Sequence, residues 1–290
     1  MTKLALGTAQ FGQEYGISNF SGPIKRSEVL EILKSAQEQK IDLIDTAITY
    51  GESENILGDI GVSNFNVVTK LPSCPTNSAD LVSWVKNHVK ASLKRLGLKS
   101  IYGLLLHRSE NLIGTSGIKI KDALYHLKSE GLVKKIGVSI YNPEELEGII
   151  KKIKIDLVQA PLNLIDQRLQ TSGWLSRLHN EGIEIHSRSS FLQGLLLLSR
   201  KQIPNKFERW NNIWDQWENE KNKSGKSALE LCLAYPFSFP EVDKVIVGVN
   251  NIKHLNAIIL ASKNTFEFNE CSFMKSDDQL LINPLYWENL

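Results

Sequence analysis

Four polar side chains stand where apolar runs end. Leu43-Ile44 stops at Asp45, Tyr50 follows five residues later, Val67-Val68-Thr69 stops at Lys70, and Leu104-Leu105-Leu106 stops at His107. A carboxylate, a phenol, an ammonium and an imidazole form a set suited to carbonyl reduction, in which a hydride reaches carbon while a proton reaches oxygen. Tyrosine is a plausible acid for that oxygen, but its free pKa of about 10 is high for work near neutrality. A nearby ammonium stabilises the phenolate and lowers that value, so Lys70 is expected beside Tyr50. Asp45 is expected to keep Lys70 charged and oriented, and His107 to hydrogen-bond the substrate oxygen. No side chain donates hydride, so this chemistry requires a nicotinamide cofactor. Taken singly, Asp45 reads as a cap and Lys70 as its salt-bridge partner. Taken with Tyr50 and His107, they read as one active site.

These groups meet only if their apolar runs are neighbouring strands. Short apolar runs at 3–9, at the stretch ending in Asp45, and at 66–70, 101–107, 135–139, 156–160, 184–189 and 244–249 read as strands. Some, such as Val245-Ile246-Val247-Gly248-Val249, are apolar throughout, as parallel strands buried on both faces are. Helical patterns alternate with them. Ser27 is expected to cap a helix that buries Leu30, Leu33 and Ala36. Val82, Val85, Val89, Leu93 and Leu96 share one face of a helix stopped by Gly97, and Asn142-Pro143 opens another. Further helices are expected over 119–130, 172–180, 227–235 and 252–260. Phe207, Trp210, Trp214 and Trp217 recur at helical spacing within an otherwise irregular section. The simple reading is a helix packed on the barrel, and the sharper one is a wall of the substrate pocket.

Eight strand–helix alternations without a linker or composition break predict one α/β domain over residues 1–290, a (β/α)8 TIM barrel. In that fold catalytic groups sit at the C-terminal ends of strands, where Asp45, Lys70 and His107 fall. A doubly wound nucleotide-binding fold would carry G-x-G-x-x-G after its first strand, and Gly7-Thr8-Ala9-Gln10-Phe11-Gly12 does not match.

With 34 basic and 32 acidic residues, and a net charge of +2, the chain carries no field that would recruit nucleic acid or an anionic membrane surface. A small-molecule carbonyl substrate is the expected partner. Cys74, Cys232 and Cys271 are odd in number, widely spaced and free of any C-x-x-C pair. They read as reduced thiols of a cytoplasmic protein, with no disulfide frame and no metal site. The N-terminus lacks a signal peptide's apolar core, and no apolar run approaches the ~20 residues of a membrane helix. A monomer is expected, because no long apolar amphipathic surface stands out.

The run from Asp45 to Gly58, D-T-A-x-x-Y-G-x-S-E-x-x-L-G, closely resembles the signature of the aldo-keto reductases. Their Asp, Tyr, Lys and His tetrad maps onto Asp45, Tyr50, Lys70 and His107, and the likeness extends from Leu6-Gly7-Thr8 to Val247-Gly248-Val249-Asn250. The resemblance implies a barrel that binds NADP(H), or less often NAD(H), without a Rossmann domain. It implies that Ser139 and Gln159 hold the nicotinamide carboxamide. The family's usual Asn is Ile140 here, and Asn163 is the candidate to replace it. Arg188 stands where many members stack an aromatic ring on the nicotinamide. Phe191, Gln193, Gly194 and Leu196 resemble the loop that covers the pyrophosphate. Gly248, Asn250, Asn251, Lys253 and His254 fall in the region of the adenosine 2′-phosphate, His254 replacing a common Arg. NADP(H) is favoured by its frequency in the family, with NAD(H) the alternative. Arg108 and Arg188 near the entrance favour a sugar-like or anionic carbonyl compound. The same resemblance admits a cofactor-binding regulatory subunit with little turnover.

Overall fold

The apolar runs form eight strands: β1 Leu4–Gly7, β2 Leu43–Asp45, β3 Asn66–Leu71, β4 Ile101–Leu106, β5 Val133–Ser139, β6 Leu157–Pro161, β7 Glu184–Arg188 and β8 Lys244–Gly248. All pair in parallel and close in sequence order, with β8 returning to β1. The computed structural model describes residues 2–17, 19, 22–75, 80–114, 116–263 and 274–290. The fold is the expected (β/α)8 barrel.

Side-chain alternation sorts each strand into an outer and an inner set. The outward set, including Leu4, Leu6, Ile44, Val67, Leu104 and Val158, packs with the helices into one extensive core. The inward set forms a small separate plug of Ala5, Leu43, Val68, Leu105, Leu157 and Ile246. A strand repeats its facing every second residue. The next inward positions towards the strands' C-terminal ends are therefore Gly7, Asp45, Lys70, His107, Gln159 and Gly248. Apolar residues seal the barrel and the polar set opens above the seal. At the other end Glu184 accepts hydrogen bonds from Lys135 and, at 2.7 Å, from Tyr102, and also pairs with the fully buried His186 at 2.6 Å. His186 is a core histidine, as its position within a strand implies. Despite burial, which acts to raise it, these partners hold the Glu184 carboxyl down at about 2.

Several local expectations shift. β1 ends at Gly7 rather than at residue 9, because Ala9–Gly12 turns into one helical turn. The helix Arg26–Glu38 follows Lys25 and has Ser27 inside its first turn. Its buried stripe is Val29, Ile32, Leu33 and Ala36, while Leu30 is 53% exposed. Leu30 shares the periodicity but lies on the far edge of a stripe that begins one residue earlier. The helix Leu81–Leu96 behaves as expected, with Asp80 capping Ser83 and Gly97 left-handed at φ 65°. Asn142 does not begin a helix directly. It accepts a hydrogen bond from Glu144 N–H, Glu145 accepts one back from Asn142 N–H, and the helix proper is Glu145–Ile150.

The aromatic stripe is structural. Phe207 and Trp210 sit in a 3₁₀ segment, Asn205–Trp210, that leads into the helix Asn211–Ser224. Phe207, Trp214 and Trp217 are buried, and Phe207 meets Trp287 edge-on at 4.9 Å. The Trp214 and Trp217 indoles donate to the carbonyls of Phe207 and Leu196. Cys74 and Cys232 are buried free thiols, and Cys271 lies outside the described residues. Among the described residues no helix is long and apolar enough to cross a membrane.

Candidate active site

Lys70 has almost no solvent exposure, so its ammonium must find partners within the barrel. It donates to Asp45 Oδ1 at 2.8 Å, to Asp45 Oδ2 at 2.7 Å and to the Thr46 carbonyl at 2.8 Å. Asp45 therefore balances and aims Lys70 as expected. Burial lowers the Lys70 pKa, and Asp45 works against that shift. The remaining capacity of Asp45 Oδ1 is taken by Gln159, whose amide donates to it at 2.7 Å. Ser139 in turn donates to Gln159 Oε1 at 3.4 Å.

Tyr50 hangs from the loop after β2 with its ring 5.1 Å from the Lys70 ammonium. Two glycines fix that loop. A Cβ on Gly12 would lie 1.9 Å from the Tyr50 carbonyl oxygen, and one on Gly51, at φ 52°, would lie 2.2 Å from the Gly12 carbonyl oxygen. Only glycine permits this approach of the β1 and β2 loops. Ser53 locks them from below, donating to the Thr8 hydroxyl at 2.9 Å, while the Thr8 hydroxyl donates to the Asp45 carbonyl at 3.0 Å. Glu54 accepts from Thr69 on β3, and from Ser92 and Arg95 on the helix Leu81–Leu96. The signature run thus binds together the strands that carry Asp45 and Lys70.

The Tyr50 phenol is pushed well above its ordinary value, first by burial and then by Asp45. The expected lowering by Lys70 does not appear. Its ammonium hydrogen-bonds Asp45 and Thr46, whose oxygens lie closer to it than the Tyr50 ring does. His107 meets the Tyr50 ring edge-on at 6.0 Å, and its Nδ1 lies 3.3 Å from the Thr49 hydroxyl. Desolvation, then Lys70, Arg188 and Arg108, push the imidazole down to about 3. It is neutral near pH 7, and a neutral imidazole can donate one hydrogen bond to an oxygen.

The cleft beside these groups is lined in part by Tyr50, Gln159, Arg188, Phe191, Gly248 and His254. Gln193, Gly194 and Asn250 also face it. Leu196 does not: it is fully buried, and Leu197 takes the cleft position because the short 3₁₀ segment rotates it there. Asn251 caps the following helix by accepting from His254 N–H at 2.8 Å, and Lys253 is exposed outside the cleft wall. Asn163 does not replace the absent Asn at 140. Its Nδ2 donates to the Ser189 carbonyl, and its Oδ1 accepts from Ile165 and Asp166 N–H. Arg188 donates to the Ile140 carbonyl at 2.9 Å and stacks over the Tyr141 ring at 4.4 Å.

Gln10, Tyr15 and Ser190 also line the cleft, although no pattern along the chain marks them. Ser190 is 2% exposed, and its hydroxyl has no hydrogen-bond partner among the described residues. It follows Ser189 and precedes Leu192 and Gln193, three non-glycine residues at positive φ (62°, 46° and 53°). Strained backbone beside an unsatisfied donor is suited to receiving an anionic ligand. The adjoining surface of Phe191, Ala228, Leu229, His254 and Ile258 is mostly apolar and suits a flat ring. These features fit a dinucleotide laid from the strand ends towards β8.

A model described as the aldo/keto reductase family matches residues 3–277, and the chain belongs to that family. The chain is 27% identical over 284 residues to the uncharacterized oxidoreductase YqkF of Bacillus subtilis, covering 90% of this chain and 91% of that one. It is 26% identical over 242 residues to an NADH-specific methylglyoxal reductase of Escherichia coli, covering 76% of this chain and 73% of that one. Among solved structures, a holo-form aldo-keto reductase from Bacillus halodurans superposes with a TM-score of 0.73 at 20% identity, over 92% and 88% of the two chains. Aldo-keto reductases use nicotinamide cofactors, and the family and its oxidoreductase relatives support carbonyl reduction as the general activity.

Proposed function

We propose that the protein reduces an aldehyde or ketone to the alcohol with NAD(P)H, and that Tyr50 is the general acid. The observation that carries this reading is the geometry of the four groups: Lys70 bonded to Asp45 and Thr46 and 5.1 Å from the Tyr50 ring, with His107 edge-on to the same ring at 6.0 Å. When bound, the nicotinamide supplies the hydride. His107 donates a hydrogen bond to the carbonyl oxygen and fixes its direction. Tyr50 is held protonated through the neutral range, so it has a proton to give as that oxygen becomes negative. The phenolate left behind is favoured by Arg188, whose charge opposes the upward shift of Tyr50, while the Lys70 ammonium 5.1 Å from the ring is held by Asp45 and Thr46. Asp45 acts on Lys70 and does not touch substrate.

Ser139 and Gln159 would hold the carboxamide, Ser190, Gln193 and Gly194 the phosphates, and Gly248, Asn250 and His254 the adenosine side. Arg188 closes the nicotinamide end. NADP(H) is the cofactor we propose, with Lys253 and His254 as the nearby bases. The alternative is NAD(H), the cofactor named for the Escherichia coli relative. The substrate is a small polar carbonyl compound, sugar-like or anionic. Titrating the protein with each nucleotide and following quenching of its 6 tryptophans tests the cofactor. NADPH is expected to bind at least about tenfold (~1.4 kcal/mol) more tightly than NADH; the reverse order overturns that assignment. Binding without oxidation of NADPH or NADH by any aldehyde favours the regulatory reading instead.

A further inference from the structure

What the substrate carries besides its carbonyl is legible in the charge at the reaction end of the cleft; this inference rests on the reductase reading above. Lys70 is matched there by Asp45, but among the described residues neither Arg188 nor Arg108 forms a salt bridge with a carboxylate. A cation left partly buried without a counter-ion is unfavourable unless a ligand supplies one.

Arg188 is also built into place. Its Nη2 donates to the Ile140 carbonyl at 2.9 Å and its Nη1 to the Ser189 hydroxyl at 3.2 Å. Its guanidinium lies 4.4 Å above the Tyr141 ring. Tyr141 is fixed in turn, because its carbonyl accepts from Arg168 Nη2 at 2.8 Å, and Arg168 is forked onto Asp166 at 2.8 Å. A guanidinium has more donor N–H groups than these two bonds use, and it binds carboxylates through paired hydrogen bonds. Its location favours the substrate over the cofactor's phosphates. Its charge is felt at Tyr50, Lys70, His107 and Tyr15, the groups around the reacting carbonyl. The unsatisfied Ser190 hydroxyl and the left-handed backbone at Leu192–Gln193 offer the phosphates a separate seat.

We infer that Arg188 is a specificity-determining residue that recognises a carboxylate on the carbonyl substrate. The test uses two aldehydes of one shape and different charge, 4-carboxybenzaldehyde and 4-formylbenzamide. Wild type is expected to prefer the acid in kcat/KM by roughly tenfold or more, and Arg188→Met to lose that preference. Equal use of both by wild type, or an unchanged preference in Arg188→Met, overturns the inference. So does a variant whose NADPH affinity collapses while the preference persists, which would assign Arg188 to the cofactor. A second measurement needs no turnover. Calorimetry on the NADPH-loaded protein compares the matched alcohols, 4-carboxybenzyl alcohol and 4-(hydroxymethyl)benzamide. The acid is expected to bind more tightly to wild type and to Tyr50→Phe, and without preference to Arg188→Met. If wild type reduces no aldehyde yet shows this charge preference in binding, the reductase reading fails and the anion site stands. If it reduces both aldehydes without any charge preference, the anion site fails and the reductase reading stands.

Discussion

At the scale of single residues, burial drives two groups of the site in opposite directions. Tyr50 is pushed up and keeps its proton, and His107 is pushed down to about 3 and stays neutral. The sign of the stability consequence follows from the His107 shift. Its folded pKa lies below the unfolded value of about 6.5, so the unfolded chain binds more protons between roughly pH 6.5 and 3. This contribution to stability is complete above about pH 6.5 and is lost as the pH falls towards 3. His107→Gln lacks it, so its Tm is expected to drop less than that of wild type between about pH 7 and 4.5. Equal drops, followed by thermal unfolding at each pH, would contradict a neutral buried imidazole. The four tetrad residues were legible in the sequence because each ends or follows an apolar run. Tyr15, Tyr141 and Ser190 were not, because loop residues have no period, and their partners Gln193, Arg188 and the cleft come from the far end of the chain.

At the scale of elements, the run Asp45–Gly58 is as much a clamp as a catalytic segment. Glu54 is 2% exposed and accepts from Thr69 at 2.7 Å, Ser92 at 2.6 Å and Arg95 at 2.8 Å. It joins the helix Ser53–Ile60 to β3 and to the helix Leu81–Leu96. Truncating a buried, paired carboxylate leaves its partners unsatisfied, so Glu54→Ala is expected to cost about 3–5 kcal/mol in urea denaturation. A loss under about 1 kcal/mol, the range of an exposed pair, would contradict this role. The sequence marks Glu54 only as an acid in a helix's first turn. Its real partners lie 15, 38 and 41 residues away and emerge only when the strands are placed. Local pattern also departs from the structure at Leu30, which lies one residue past the start of the buried stripe at Val29, and at Asn142, which begins a turn instead of a helix.

At the scale of the molecule, the barrel brings three strand ends together above one apolar seal. The alternation of strand and helix, and the apolar-throughout character of the strands, made this architecture readable from the chain. The closure of β8 onto β1 carries Gly248 against Gln10, where a Cβ would lie 2.5 Å from the Gln10 amide nitrogen. No local pattern announces that contact. We propose that this assembly protonates a carbonyl oxygen through Tyr50. That protonation is tested most directly by single-turnover oxidation of bound NADPH or NADH, whichever the protein binds, with a reducible aldehyde, comparing wild type with Tyr50→Phe. The variant removes one hydroxyl and keeps the ring, so the nucleotide's affinity serves as a check on the fold. A loss of about 10²–10⁴ in the rate of the chemical step is expected, with that affinity retained. A Tyr50→Phe protein that oxidises the nucleotide as fast as wild type would contradict it.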